Sequence, residues 1–81
     1  MDETAPDEKE LSIARAIEFM RANRPLRAEE RCREYLADNP GCADHMRLLS
    51  HALMKQNRLA EAEEQLRFAL SISPDLSLIH I

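Results

Sequence analysis

The chain repeats part of its own sequence at a fixed spacing, and this repetition limits its possible folds more than any other feature. Nine residues recur as the same amino acid 34 positions later. The pairs are Met20/Met54, Asn23/Asn57, Arg24/Arg58, Ala28/Ala62, Glu29/Glu63, Glu30/Glu64, Arg33/Arg67, Leu36/Leu70 and Pro40/Pro74. This period is typical of helix–turn–helix units that bury their apolar faces by stacking on one another. The sequence therefore predicts an all-α chain of two tandem hairpins, four antiparallel helices that begin an α-solenoid.

Composition agrees with a helical chain that has a thin aliphatic core. The 81 residues include one Gly, four Pro, two Phe, one Tyr and no Trp. No apolar run approaches the roughly 18 residues that a membrane span needs, and no secretory signal precedes the repeats. Two cysteines do not make a disulfide scaffold. We therefore expect a cytoplasmic protein that does not enter a membrane.

Charge is unevenly placed along the chain. Residues 1–10 carry five acidic side chains and one lysine, whereas the remaining ten acidic and ten basic side chains cancel. The repeats therefore lack the basic excess that binding to nucleic-acid phosphates requires. The acidic start is interpreted as a solvated tail, and we expect no nucleic-acid partner.

Helix signals divide the chain into units. Apolar spacing and breakers predict helices at about residues 6–23, 25–37, 43–56 and 59–71. The resulting organisation is a disordered acidic start at 1–8, repeats at 9–42 and 43–75, and a tail at 76–81. The first helix has an apolar surface wide enough for two neighbours. The inner faces of the other helices are predicted to consist of Ala28, Cys32, Tyr35, Leu36, Met46, Leu49, Ala52, Leu53, Ala62, Leu66, Ala69 and Leu70.

The two units resemble tetratricopeptide repeats over about residues 9–75. The second unit matches the family pattern with Met46, Leu49, Ser50, Leu53, Ala62, Leu66, Ala69 and Pro74. The first unit supplies Ser12, Arg15, Ala16, Phe19, Ala28, Cys32, Tyr35 and Pro40, so that Arg15 replaces the usual Leu and Tyr35 the usual Ala. The resemblance implies a non-catalytic scaffold that binds a protein or peptide partner in a concave groove. It also implies that the first helix of each hairpin lines this groove.

Candidate groove residues follow from that resemblance. Arg47, His51 and Lys55 stand four residues apart, which places them in one stripe along the third helix. Such a stripe fits acidic side chains or a terminal carboxylate, although it lacks the family's Lys/Asn clamp; the alternative is a solvated polar face. The matching part of the first helix is largely apolar and could receive an amphipathic partner, a missing part of the chain or a second copy. The candidate set is Ile13, Ile17, Met20, Arg47, His51, Met54 and Lys55.

No residue pattern predicts catalysis, a metal site or a cofactor. Cys42-x2-His45, with His51 nearby, lacks a fourth zinc ligand. Cys42 is interpreted as an inert loop thiol without a partnered base, and Cys32 as a small core residue. The repeated pairs at 29–30 and 63–64 are expected on the solvated side of each second helix, as charge patterning.

The last six residues suggest a different origin from the repeats. Residues 76–81 coincide with a translation of the transposase adapter end used in sequencing libraries. The alternatives are a truncated third repeat or a natural apolar terminus. On the first reading the chain is an N-terminal fragment of a longer bacterial protein, its fourth helix lacks a covering unit, and self-association is expected. The runs at 28–32 and 59–63 also resemble the repeats that precede sulfotransferase domains in some bacterial proteins. An enzyme's recruiting region is therefore the alternative function.

Overall fold

Four α-helices occupy most of residues 8–73, the part of the chain that the computed structural model describes. They are α1 (Glu8–Arg21), α2 (Pro25–Asp38), α3 (Ala43–Lys55) and α4 (Leu59–Ile72), and no strand occurs between residues 8 and 73. The predicted all-α architecture of two tandem hairpins is confirmed, and the helix ends from Arg21 onward lie within two residues of the expected positions. The predicted start of the first helix near residue 6 lies outside the described residues. The expectations for most of the acidic start and for the tail at 76–81 lie outside the described residues.

Both hairpins turn by the same backbone device. Asn23 and Asn57 adopt the left-handed conformation, with φ angles of 61° and 62°, which asparagine tolerates better than most side chains. The amide of the following residue then donates to a carbonyl five residues earlier in the chain. Arg24 N–H donates to the Phe19 carbonyl at 2.8 Å, and Arg58 N–H donates to the Leu53 carbonyl at 2.9 Å. These bonds satisfy carbonyls at each helix end, as in a Schellman motif. The repeated asparagines therefore fix both hairpin turns.

The core forms where α3 packs against both α2 and α4, while α1 packs mainly against α2. Ala16, Ala28, Ser50 and Ala62 are all at most 3% exposed. These small side chains let the helices approach closely, as expected for the repeat positions. The main apolar cluster is Ala16, Cys32, Leu49, Leu53 and Ala62.

The predicted burial of Leu66 in the core is wrong. Leu66 is 39% exposed, although its counterpart in the first unit, Cys32, is fully buried. Cys32 packs with residues of α3 and α4, whereas no further helix covers the same side of α4 within residues 8–73. Periodicity identified the apolar position correctly, but burial depends on a neighbour that only α2 has.

Candidate functional site

A cavity of about 330 Å³ lies between α1 and α3, the first helices of the two hairpins. This volume is near the lower end of the roughly 300–1,000 Å³ that ligand pockets occupy. Three side chains give it an apolar surface, and two guanidinium groups and an imidazole give it a polar one. Its lining consists of Ile17, Met20, Arg21, Arg47, Leu48 and His51.

Four of the seven groove residues suggested by the sequence meet in this cavity. Ile17 and Met20 come from α1, and Arg47 and His51 come from α3. The other three, Ile13, Met54 and Lys55, are not among the lining side chains. The stripe on α3 and the apolar face of α1 therefore form one surface over only part of the expected length.

The sequence-based set missed Leu48, which lines the cavity beside Arg47. The inner face of α3 was assigned to Met46, Leu49, Ala52 and Leu53, which recur at intervals of three or four residues from Met46. Leu48 does not fit that spacing and was therefore not included. A usable signal was present: Leu48 precedes His51 by three residues, and residues three apart share a helix face. Leu48 turns the polar stripe into a mixed apolar and cationic surface.

The internal repeat explains why these side chains come together. Ala16 and Ser50 are counterparts 34 residues apart, and both are buried. The next residue in each helix, Ile17 and His51, lines the cavity. The cavity therefore joins equivalent positions of α1 and α3, each directly after a buried small residue.

A larger cavity of about 520 Å³, which no sequence pattern predicted, is lined by residues of α2, α3 and α4. Phe68 and Ile72 line it from α4 and are 51% and 49% exposed. Their counterparts on α2, Glu34 and Asp38, line a third cavity of about 290 Å³ that is rich in charged groups. The same side of the hairpin is therefore polar in the first unit and apolar in the second.

Glu29 contradicts its expected position on a solvated face. It is only 7% exposed, and its carboxylate accepts hydrogen bonds from Gln56 at 2.8 Å, Arg58 at 2.9 Å and Arg33 at 2.8 Å. Burial alone would raise the pKa of this carboxyl, but the hydrogen bonds from Gln56 and Arg33 and the nearby guanidinium charges lower it overall. Glu29 joins α2 to the α3–α4 turn, whereas Glu63 remains exposed as predicted.

His45 forms a second buried polar contact, between α1, α2 and α3. Its ring stacks on Tyr35 with centroids 4.0 Å apart. Nδ1 lies 3.0 Å from the Cys42 sulfur and Nε2 lies 2.9 Å from the Ser12 hydroxyl. A neutral imidazole satisfies both contacts with one donor and one acceptor nitrogen. The premise that Cys42 lacks a partnered base is therefore wrong.

These contacts do not form a metal site. Within residues 8–73, no group of three or more His, Cys, Asp or Glu side chains is placed to hold an ion. Cys32 is buried in the apolar core as predicted, and burial raises the pKa of its thiol to about 12. A thiol with so high a pKa is not a nucleophile at neutral pH.

Acidification is expected to destabilise the fold through His45 first and Glu29 second. Burial lowers the pKa of His45 below its usual 6.5. The stability that the neutral ring contributes is therefore fully present above pH 6.5, and it is lost as the pH falls through the lowered pKa. Asp44 opposes this shift, Lys9 adds to it, and Cys42 and Tyr35 contact the ring. The pKa of the Glu29 carboxyl also lies below its usual value of 4.5. The stability that the ionised carboxylate contributes is therefore lost only at still lower pH, below 4.5.

Urea unfolding at pH 7.5 and 5.5 tests the His45 step. The urea midpoint should fall at the lower pH in the unsubstituted chain, and it should fall less in a His45→Gln variant. His51→Gln is the matched control, because His51 is exposed. An equal pH effect on the midpoints of the unsubstituted chain and His45→Gln would contradict the assignment to His45.

Comparison with known proteins agrees with the geometry. A family model described as tetratricopeptide repeat matches residues 13–77, whereas no curated protein and no solved structure matches the chain. No helix between residues 8 and 73 is long and apolar enough to cross a membrane. Domains of this family are generally non-catalytic modules for protein–protein interaction. The repeat period, the two stacked hairpins and the family match together show that the chain belongs to the tetratricopeptide repeat family.

Proposed function

We propose that the cavity between α1 and α3 binds a segment of a partner protein. The observation that carries this proposal is the meeting of apolar and cationic side chains from two different hairpins in one open cavity. Ile17, Met20 and Leu48 provide apolar contact area, and Met20 can adapt to different side-chain shapes. Arg21 and Arg47 provide donors that suit carboxylates.

The chemistry of the lining defines the partner segment. An apolar side chain of the segment would enter between Ile17 and Leu48, where it is removed from water. Acidic residues beside it would meet Arg21 and Arg47 at the edge of the cavity. The proposed ligand is therefore an amphipathic acidic peptide, and the protein acts as a binding scaffold for it.

Reversing the charge of Arg47 is expected to weaken binding of such a peptide. The probe is a fluorescein-labelled peptide in which leucines alternate with glutamates, titrated by anisotropy at low and moderate salt. Arg47→Glu should raise the Kd by about tenfold or more, because it replaces an attractive charge pair by a repulsive one. Added salt should narrow this difference, since screening weakens exposed charge pairs.

A matched variant separates the cavity from general electrostatics. Arg27→Glu changes the net charge by the same amount at an exposed position on α2, and it should leave the Kd almost unchanged. Lys55→Glu, on α3 but outside the lining, should have an intermediate effect. Equal Kd values for Arg47→Glu and Arg27→Glu would contradict the proposed site, provided that circular dichroism shows equal helix content.

A further inference from the structure

Cys42, His45 and Ser12 form a continuous series of polar contacts that takes no part in the cavity between α1 and α3. The Cys42 sulfur lies 3.0 Å from Nδ1 of His45, and Nε2 of the same ring lies 2.9 Å from the Ser12 hydroxyl. The imidazole is fully buried, whereas Cys42 is a half-buried free thiol. These contacts therefore join a buried base to a cysteine that is partly open to solvent.

Two arrangements of protons satisfy these distances, and the chemistry of the two acceptors favours one of them. Sulfur is a weak hydrogen-bond acceptor, whereas a hydroxyl oxygen accepts well. The ring N–H is therefore best placed on Nε2, from which it donates to Ser12. Nδ1 then keeps its lone pair and accepts a hydrogen bond from the Cys42 thiol. Stacking on Tyr35, with ring centroids 4.0 Å apart, holds the imidazole in this orientation.

The Cys42 sulfur also lies where a helix begins. Cys42 is the N-cap of α3, a helix of 13 residues, and its side chain makes no capping hydrogen bond. The N-terminus of a helix attracts negative charge within its first turn. Lys9 and Asp44 face the same region, but they form an ion pair of 3.1 Å, so their charges largely cancel. A neighbouring imidazole and a helix N-terminus are both typical surroundings of reactive cysteines.

We infer that Cys42 is a site of oxidation by peroxides, and that His45 is the base that activates its thiol. Hydrogen peroxide is small enough to reach a half-buried sulfur. In the reaction, the sulfur forms a bond to one peroxide oxygen while the O–O bond breaks. The thiol proton passes to Nδ1 of His45 and then to the departing hydroxide, so that the products are a sulfenic acid at Cys42 and water. The sulfur is oxidised by two electrons, and the peroxide is reduced by two.

The rate of oxidation of the full chain at pH 7 tests this inference. Hydrogen peroxide is added together with dimedone, which traps sulfenic acids, and peptide mass spectrometry measures the adduct at each cysteine. The same reaction in concentrated urea gives the rate of an unassisted thiol. Cys42 should react about fivefold faster in the folded chain, because an ordinary thiol is only a few per cent ionised at this pH. Cys32 is the internal control: burial raises the pKa of its thiol to about 12, so folding should slow its reaction.

Two histidine variants separate the base from the rest of the fold. His45→Gln should lower the rate at Cys42 in the folded chain by about fivefold, to the rate in urea or below it. His51→Gln is the matched control, because His51 is exposed and takes no part in the contact with Cys42. It should leave the rate at Cys42 unchanged.

Nuclear magnetic resonance of the unsubstituted chain tests the same inference without any substitution. The ¹⁵N chemical shifts of the His45 ring should place its proton on Nε2, and a proton on Nδ1 would overturn the role of His45 as the base. A rate at Cys42 that is no faster in the folded chain than in urea would also overturn the inference. So would equal Cys42 rates in the unsubstituted chain and a His45→Gln variant of equal helix content.

Discussion

Leu53→Ala is expected to lower the free energy of unfolding by about 2–5 kcal/mol, the usual range for removing a large aliphatic side chain from a core. Leu53 is fully buried and packs in the cluster with Ala16, Cys32, Leu49 and Ala62. Three of these neighbours are small, so they cannot move inward enough to fill the space. Because small domains have little stability to lose, the variant should be substantially unfolded at room temperature.

Urea unfolding followed by circular dichroism provides the measurement. Leu59→Ala is the matched control, because Leu59 is 59% exposed, and it should change the free energy of unfolding by less than about 0.5 kcal/mol. A Leu53→Ala variant as stable as Leu59→Ala would mean that α3 does not pack between α2 and α4.

Glu29→Gln is expected to cost about 1–3 kcal/mol, the range for disturbing hydrogen bonds to a charged group. Its carboxylate holds Gln56 and Arg58, which are remote in sequence, and Arg33 one turn along α2. A neutral amide keeps the shape but loses the charge. One of the two accepting oxygens becomes an NH2 group, which donates and cannot accept. At least one of the three hydrogen bonds must therefore be lost.

The repeat offers an internal control for this substitution. Glu63→Gln makes the same chemical change at the counterpart position, where the side chain is exposed and paired only with an exposed Arg67 among the described ion pairs. It should change stability by no more than a few tenths of a kcal/mol. Equal unfolding midpoints for the two variants would contradict the structural role assigned to Glu29.

The repeat period and the turn residues were sufficient to predict four helices and their order. Local chemistry explains this success: Asn23 and Asn57 take left-handed turns, and Pro25 begins α2. The buried small residues were also predictable, because Ala28 and Ala62 recur at positions where helices must approach closely. The turns and the buried small residues depend only on a helix and the helix next to it in the chain. The periodicity of the sequence is sufficient to predict such local features.

The errors concern residues whose surroundings come from elsewhere in the chain. Glu29 and Glu63 have the same local sequence, yet only Glu29 meets the turn of a following hairpin. Cys32 and Leu66 differ in burial for the same reason. Repeated residues predict the same positions along a helix, but their burial depends on whether a further helix packs beside them, as α3 does beside α2 and no helix does beside that side of α4 within residues 8–73.

The candidate site was predictable only in part. The stripe spacing correctly placed Arg47 and His51 on one face, and the resemblance placed Ile17 and Met20 opposite them. Where the cavity ends depends on how α1 and α3 approach each other, and Ile13, Met54 and Lys55 lie outside its lining. Their part in a longer groove stays a prediction. The apolar cavity beside Phe68 was missed because it joins three helices.

Chemical-shift mapping of the labelled full chain with the leucine–glutamate peptide tests the proposed groove most directly. We predict saturable shifts of backbone amides and methyl groups around Ile17, Met20, Arg47 and Leu48, and the loss of these shifts in Arg47→Glu. A Phe68→Ser variant should bind the peptide with an unchanged Kd. Shifts centred on Phe68 and Ile72, together with loss of binding in Phe68→Ser, would contradict binding between α1 and α3 and assign it to the cavity lined by α2, α3 and α4.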